Sequence, residues 1–165
     1  MPMIPSLRIS FAVGSTWIVR PAVMPSGSVL KAVRALFIQT GMMLMAVILI
    51  VEDDMLICEL AGMMMQDCGY CILSASDVDE ALELLRSHRK IDALFTDIYL
   101  KKAVYGGCEL AQQAILLRPC LRVVYTTGNA ITEKLKSLFI DGSLFLRKPY
   151  TVNQLQQSMA HALAI

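Results

Sequence analysis

The sequence predicts an α/β fold, a doubly wound sandwich on a five-stranded parallel sheet. Three observations carry that prediction. Short, nearly unbroken apolar runs recur from Ala46 onward, of the kind that a sheet covered on both faces requires. Between them lie longer segments with apolar residues at helical spacing. Gly, Pro and Asp-Gly signals separate the two kinds of segment, and strands alternating with helices give parallel pairing with right-handed crossovers.

Taken in order, Val47-Ile48-Leu49-Ile50-Val51 is an uninterrupted apolar, mostly β-branched run and forms the first strand. Met55 to Asp67 has helical spacing, and Gly69 terminates it. Its Met55, Met63, Met64 and Met65 read as a core or surface stripe, because methionine fills irregular gaps. Tyr70 to Ser74 is the second strand, and Ser76-Asp77 caps a helix over Val78 to His88 whose Ala81, Leu82, Leu84 and Leu85 face inward. Ile91 to Thr96 is the third strand. Asp97 then opens a long loop containing Gly106-Gly107, and Cys108 to Leu117 is a helix stopped before Pro119. Leu121 to Tyr125 is the fourth strand, followed by a helix over Ile131 to Phe139 begun from Asn129 to Thr132. Asp141-Gly142 turns into a fifth strand, Leu144 to Arg147, and Val152 to Leu163 is the last helix. Five such units make a flavodoxin-like sandwich.

The first 45 residues do not join this pattern. They hold Arg8, Arg20, Lys31 and Arg34 with no acid, whereas the rest carries eleven basic and fourteen acidic residues, a net of −3. Four of the six prolines (Pro2, Pro5, Pro21, Pro25) lie here as well. The expectation is a poorly ordered or non-native extension over residues 1–45, with the functional domain over 46–165. The 17-residue uncharged run Ala35 to Val51 touches the lower limit of a membrane span, but Gln39, Thr40 and Gly41 interrupt it and its end reads as a strand, so no membrane association is expected. Nor is nucleic-acid binding, since the basic residues show no clustering beyond adjacent pairs. Five cysteines at positions 58, 68, 71, 108 and 120 are an odd number, which fits buried thiols in a reducing cytoplasm. Cys68 and Cys71 have redox-motif spacing but fall in different elements, with no second pair to complete a zinc site.

The chemistry gathers at strand ends. An open α/β sheet binds ligands beyond the carboxyl ends of its strands. Four of those ends carry complementary groups: Glu52-Asp53-Asp54, Asp97, Thr126-Thr127 and Lys148. Two carboxylates about 4 Å apart repel by roughly 4 kcal/mol at an effective dielectric of 20, so Glu52, Asp53 and Asp97 together require positive charge. Oxygen ligands with no histidine or cysteine among them favour Mg²⁺, or Mn²⁺, over zinc. Lys148 adds a fixed ammonium. Carboxylate, metal, ammonium and hydroxyl are the parts needed to move a phosphoryl group onto an aspartate, and a carboxylate nucleophile needs no general base.

At these residues the sequence resembles the receiver domains of two-component response regulators. The resemblance spans Ala46 to about Leu163 and rests on Ile-Leu-Ile-Val-Glu52-Asp53-Asp54, Leu-Phe-Thr-Asp97-Ile, Val-Val-Tyr-Thr-Thr127-Gly and Phe145-Leu-Arg-Lys148-Pro149-Tyr in that order. It implies that Asp97 is the phosphoacceptor, that Asp53 binds Mg²⁺ directly and Glu52 through water, and that the Tyr99 carbonyl completes the protein ligands. It also implies that Lys148 and Thr127 sense the phosphoryl group, that Phe145 is a rotameric switch, and that the Lys148-Pro149 bond is cis. Thr127 is preferred to Thr126 because it precedes Gly128 at the strand's mouth. This sequence departs from the family pattern in the loop Tyr99-Leu100-Lys101-Lys102, which lacks the usual proline; Tyr99 and Asn129 stand where the family tunes phosphoryl lifetime.

The resulting expectation is a stand-alone phosphoacceptor, not a turnover enzyme. Its phosphodonor would be a phosphohistidine on a sensor histidine kinase or phosphotransfer protein, since neither His88 nor His161 has a donor context. With one helix after Lys148, output is expected through contact with another protein, on a surface near the fourth helix, fifth strand and fifth helix. The alternative is a receiver-like scaffold that is never phosphorylated. An aspartyl phosphatase would need a second aspartate two residues on, where this chain has Tyr99.

Overall fold

A computed structural model describes residues 45–88, 90–100 and 103–164. The extension expected over residues 1–45 lies outside the described residues except for Met45, as do Lys101 and Lys102 of the loop after Asp97. Five strands, β1 (Val47–Val51), β2 (Cys71–Ala75), β3 (Ala93–Asp97), β4 (Arg122–Thr127) and β5 (Leu144–Arg147), form one parallel sheet in the order β2-β1-β3-β4-β5. The helices are α1 (Met55–Asp67), α2 (Val78–Ser87), α3 (Gly106–Leu117), α4 (Glu133–Lys136) and α5 (Val152–Ala164). This is the expected flavodoxin-like, doubly wound α/β sandwich.

Strand alternation sorts the apolar residues into two cores. Ile48, Ile50, Phe95 and Val124 face Ala61 and Met65 of α1 and Leu155, Met159 and Ala162 of α5. Leu49, Val51, Leu94, Val123 and Tyr125 face α2, α3 and Leu135 of α4. Because both faces are covered, the strands read as continuous apolar runs and not as alternating ones.

Local signals fix the helix ends. The Asp54 carboxylate caps α1, accepting from the Leu56 and Ile57 amides at 3.0 and 3.3 Å, and Gly69 leaves the helix at φ +84°. Asp77 caps α2 through the Glu80 amide, while the Glu80 carboxylate accepts from the Ser76 amide, one residue before the cap, at 2.7 Å. Arg118 closes the other end of α2, donating to the carbonyls of Leu85 and His88.

Three expectations shift most. Gly106 and Gly107, expected in the loop after Asp97, open α3 instead, because Gly107 can pack against the Asp97 backbone there. β4 runs on to Thr127, two residues past its expected end, which puts both threonines inside the sheet. The helix expected over Ile131 to Phe139 is only Glu133–Lys136, capped by Thr132. Beyond it the chain makes tight turns, Leu138 N–H to Leu135 C=O at 3.0 Å and Phe139 N–H to Lys136 C=O at 3.1 Å, because Phe139 and Ile140 turn back to pack on the core beneath. Among the described residues no helix is long and apolar enough to cross a membrane. All five cysteines are free thiols, but only Cys108 is buried; Cys71 in β2 and Cys120 are exposed, against the expectation of buried thiols, and Cys68 ends α1.

Candidate functional site

The sheet changes winding direction between β1 and β3, the place where such a fold leaves a crevice above its strands. Glu52 leaves the end of β1 and Asp97 ends β3. Lys148 follows β5 and reaches across the end of β4 to meet both. Its Nζ lies 2.5 Å from Glu52 Oε2 and 2.6 Å from Asp97 Oδ2. The three side chains are 15%, 5% and 13% exposed for Lys148, Glu52 and Asp97, so the ammonium is sealed between two carboxylates. The second Asp97 oxygen, Oδ1, accepts from the Tyr99 amide at 3.0 Å. Asp97 is thus held at both oxygens.

The electrostatics follow from that burial. Desolvation pushes the Glu52 carboxyl above its ordinary range, against the pull of Lys148. Burial alone would lower Lys148, but its hydrogen bonds and attraction to Asp97 and Glu52 outweigh it, and the ammonium is held above its ordinary value. Two carboxylates and one ammonium still leave a net negative charge. The nearby phenol of Tyr150 is pushed up to about 12 by burial and by Glu52 and Asp97.

The remaining expected site residues are placed less directly. Thr127 is buried at the end of β4; its hydroxyl accepts from the Asn129 amide at 3.2 Å and its carbonyl from the Lys148 amide at 2.9 Å. Thr126, opposite Asp97 in the register, is fully buried and its hydroxyl has no hydrogen-bond partner. Phe145 of β5 lies opposite Tyr125, with its ring 6.4 Å from Phe139. The Lys148-Pro149 bond is cis. Asp53 is half-buried beside Glu52. Glu52, Asp53 and Asp97 are not drawn into one cage: among the described residues no three His, Cys, Asp or Glu side chains converge as a metal site. The ammonium of Lys148 takes the place between Glu52 and Asp97 that their repulsion leaves for a positive charge.

Three contributors escaped sequence reasoning. The Tyr99 amide orients Asp97, and the Thr96 hydroxyl donates to the Asp97 carbonyl at 2.9 Å. Gly107 packs on the same carbonyl so closely that a Cβ there would lie 1.9 Å from the oxygen. The Gly106-Gly107 pair was a visible sign of close approach; the Tyr99 bond depends on backbone direction and the Thr96 bond on its side-chain rotamer, neither of which a local pattern shows.

Beside the pocket, a cleft of about 410 Å³ runs between Ile57, Leu60 and Met64 of α1 and Lys148, Pro149 and Tyr150 after β5. The donor atoms at the pocket are oxygens of Glu52 and Asp97 with the Lys148 nitrogen, and their residual negative charge suits a hard divalent cation. Chemically the arrangement offers a fixed, ionisable carboxylate nucleophile with a cation beside it, the requirements for taking up an electrophile with anionic oxygens.

The family model for the response regulator receiver domain matches residues 48–160. Among solved structures, a response regulator receiver protein from Sinorhizobium medicae is 26% identical, with a TM-score of 0.67 over 73% of this chain and 96% of that one. NtrX from Brucella abortus is 28% identical at a TM-score of 0.66, covering 73% of this chain and 27% of its own. The transcriptional regulatory protein ZraR of Klebsiella oxytoca is 29% identical over 121 residues, 71% of this chain. The chain spans about a quarter (26%) of the length of the curated relatives it matches.

Proposed function

Because this chain belongs to the response regulator receiver family of two-component systems, we propose that Asp97 accepts a phosphoryl group from a phosphohistidine on a sensor histidine kinase or phosphotransfer protein. The observation that carries the reading is the clamped carboxylate: Asp97 Oδ2 sits 2.6 Å from Lys148 Nζ while Oδ1 is fixed by the Tyr99 amide.

In the proposed step an Asp97 oxygen attacks phosphorus in line, an O–P bond forms, and the donor's N–P bond breaks with its electron pair returning to the imidazole ring. Lys148 stays beside the acceptor and neutralises charge on the transferred oxygens. A Mg²⁺ or Mn²⁺ ion would be held by Asp53 and Asp97, by Glu52 through water, and by the Tyr99 carbonyl. Bound there, the ion supplies further positive charge to the phosphoryl oxygens. Thr127 exchanges its bond with the Asn129 amide for one to the phosphoryl group, and Phe145 follows. The domain acts as an acceptor without turning over a separate substrate, and it signals by contact of its α4–β5–α5 side with a further protein segment.

Acetyl phosphate with Mg²⁺ is expected to add one phosphoryl group, read by intact mass, and EDTA to prevent it. Asp97→Asn is expected to abolish the adduct. An adduct that persists in this variant would overturn the assignment.

A further inference from the structure

We infer that Tyr125 couples the Asp97 pocket to the segment between α4 and β5, through a hydroxyl latch on the Ile140 amide. The inference rests on the phosphoacceptor reading above and adds to it a residue on another strand.

Tyr125 and Thr127 lie on the same face of β4, two residues apart, and both are buried. Thr127 borders the pocket. Tyr125 lies below it, fully enclosed in the core, and its phenol oxygen accepts from the Ile140 amide at 3.4 Å. That distance is at the outer edge of a useful N–H···O bond, where a shift of a few tenths of an ångström breaks it. Burial also pushes the phenol above its ordinary range, so the hydroxyl stays neutral.

The same ring carries the neighbouring aromatics. Phe139 stacks on Tyr125 with centroids 4.3 Å apart and planes 26° apart, and Phe145 lies 6.4 Å beyond. The segment they hold has little structure of its own to resist rearrangement. α4 is four residues long, and the turns after it are short, such as the one in which the Ser143 amide and hydroxyl both donate to the Ile140 carbonyl, at 3.2 and 2.7 Å. When Thr127 is drawn towards a phosphoryl group on Asp97, the end of β4 moves, the latch on Ile140 opens, and residues 137–143 are released. Phe145 alone supplies no such latch, having no polar atom.

The test is amide hydrogen exchange across residues 137–143 in the full chain, with and without acetyl phosphate and Mg²⁺, phosphoryl occupancy being read by intact mass. In the wild type, phosphorylation is expected to speed exchange at Ile140 about tenfold. Tyr125→Phe, which keeps the ring and removes the acceptor, is expected to exchange at the faster rate before phosphorylation, to change less than twofold after it, and to reach the same occupancy. Slow exchange in unphosphorylated Tyr125→Phe, or a tenfold response retained by it, overturns the latch. So does a phosphorylated wild type whose Ile140 exchange is unchanged, whatever the variant does. A wild type that takes no phosphoryl group sinks the phosphoacceptor reading instead, and the unphosphorylated pair still decides the latch.

Discussion

At Lys148 burial and charge pull in opposite directions, and the balance sets how the site depends on pH. Its folded value is held above the ordinary one, so its stabilisation is present in full below about pH 10.5, the unfolded value, and is lost as pH rises through the folded value. Glu52 has the opposite sign. Its folded value is raised above 4.5, so its ionised form costs stability above that range and proton uptake relieves the cost as pH falls. Lys148→Met removes the ammonium and leaves two enclosed carboxylates facing each other. We expect it to lower stability by about 3 kcal/mol at pH 7 in EDTA, and by less at a lower pH, because burial favours the protonated form of Glu52. Denaturant melts at the two pH values check this. The carboxylates and the lysine were legible as strand-end residues. That the ammonium of Lys148 would meet those acids was also expected; which oxygens it bonds, Glu52 Oε2 and Asp97 Oδ2, was not, because these contacts join positions 96 and 51 residues apart through a side-chain path that no local pattern encodes.

At the level of single elements, α3 is seated directly on the backbone of Asp97. Gly107 leaves no room for a methyl group against the Asp97 carbonyl, and the obstacle is backbone, which cannot rotate away. Gly107→Ala is therefore expected to cost about 2–3 kcal/mol and to reduce phosphoryl uptake by displacing Asp97, measured by denaturant melts and by intact mass. Helix α1 poses a different problem. Leu56 and Met63 on its outer face are 71% and 56% exposed, and no basic residue lies along it. Leu56→Lys with Met63→Lys is expected to change stability by less than about 0.5 kcal/mol while raising the concentration at which light scattering appears. α1 was readable as a helix to its end residues because Asp54 and Gly69 announce both termini. α4 was overextended, because the apolar residues after Lys136 have helical spacing but are claimed by packing on Tyr125 and Phe145. Tertiary contact overrode local pattern there.

For the whole molecule, the count of five alternating units was enough to fix the sheet, since short crossovers of one hand leave few orders open. What the count could not supply was the distance over which the pocket is assembled. Its acids come from β1 and β3, in the middle of the sheet, whereas its ammonium comes from the carboxyl end of the edge strand β5 and spans β4 to reach them. Until β5 is laid down, Glu52 and Asp97 have no Lys148 ammonium between them and face each other as mutually repelling acids. A clipped or half-made copy retaining every residue through Gly142 would keep its aspartate and still be mute. On the proposed reading, completion of the sheet is thereby a condition for answering the signal at all.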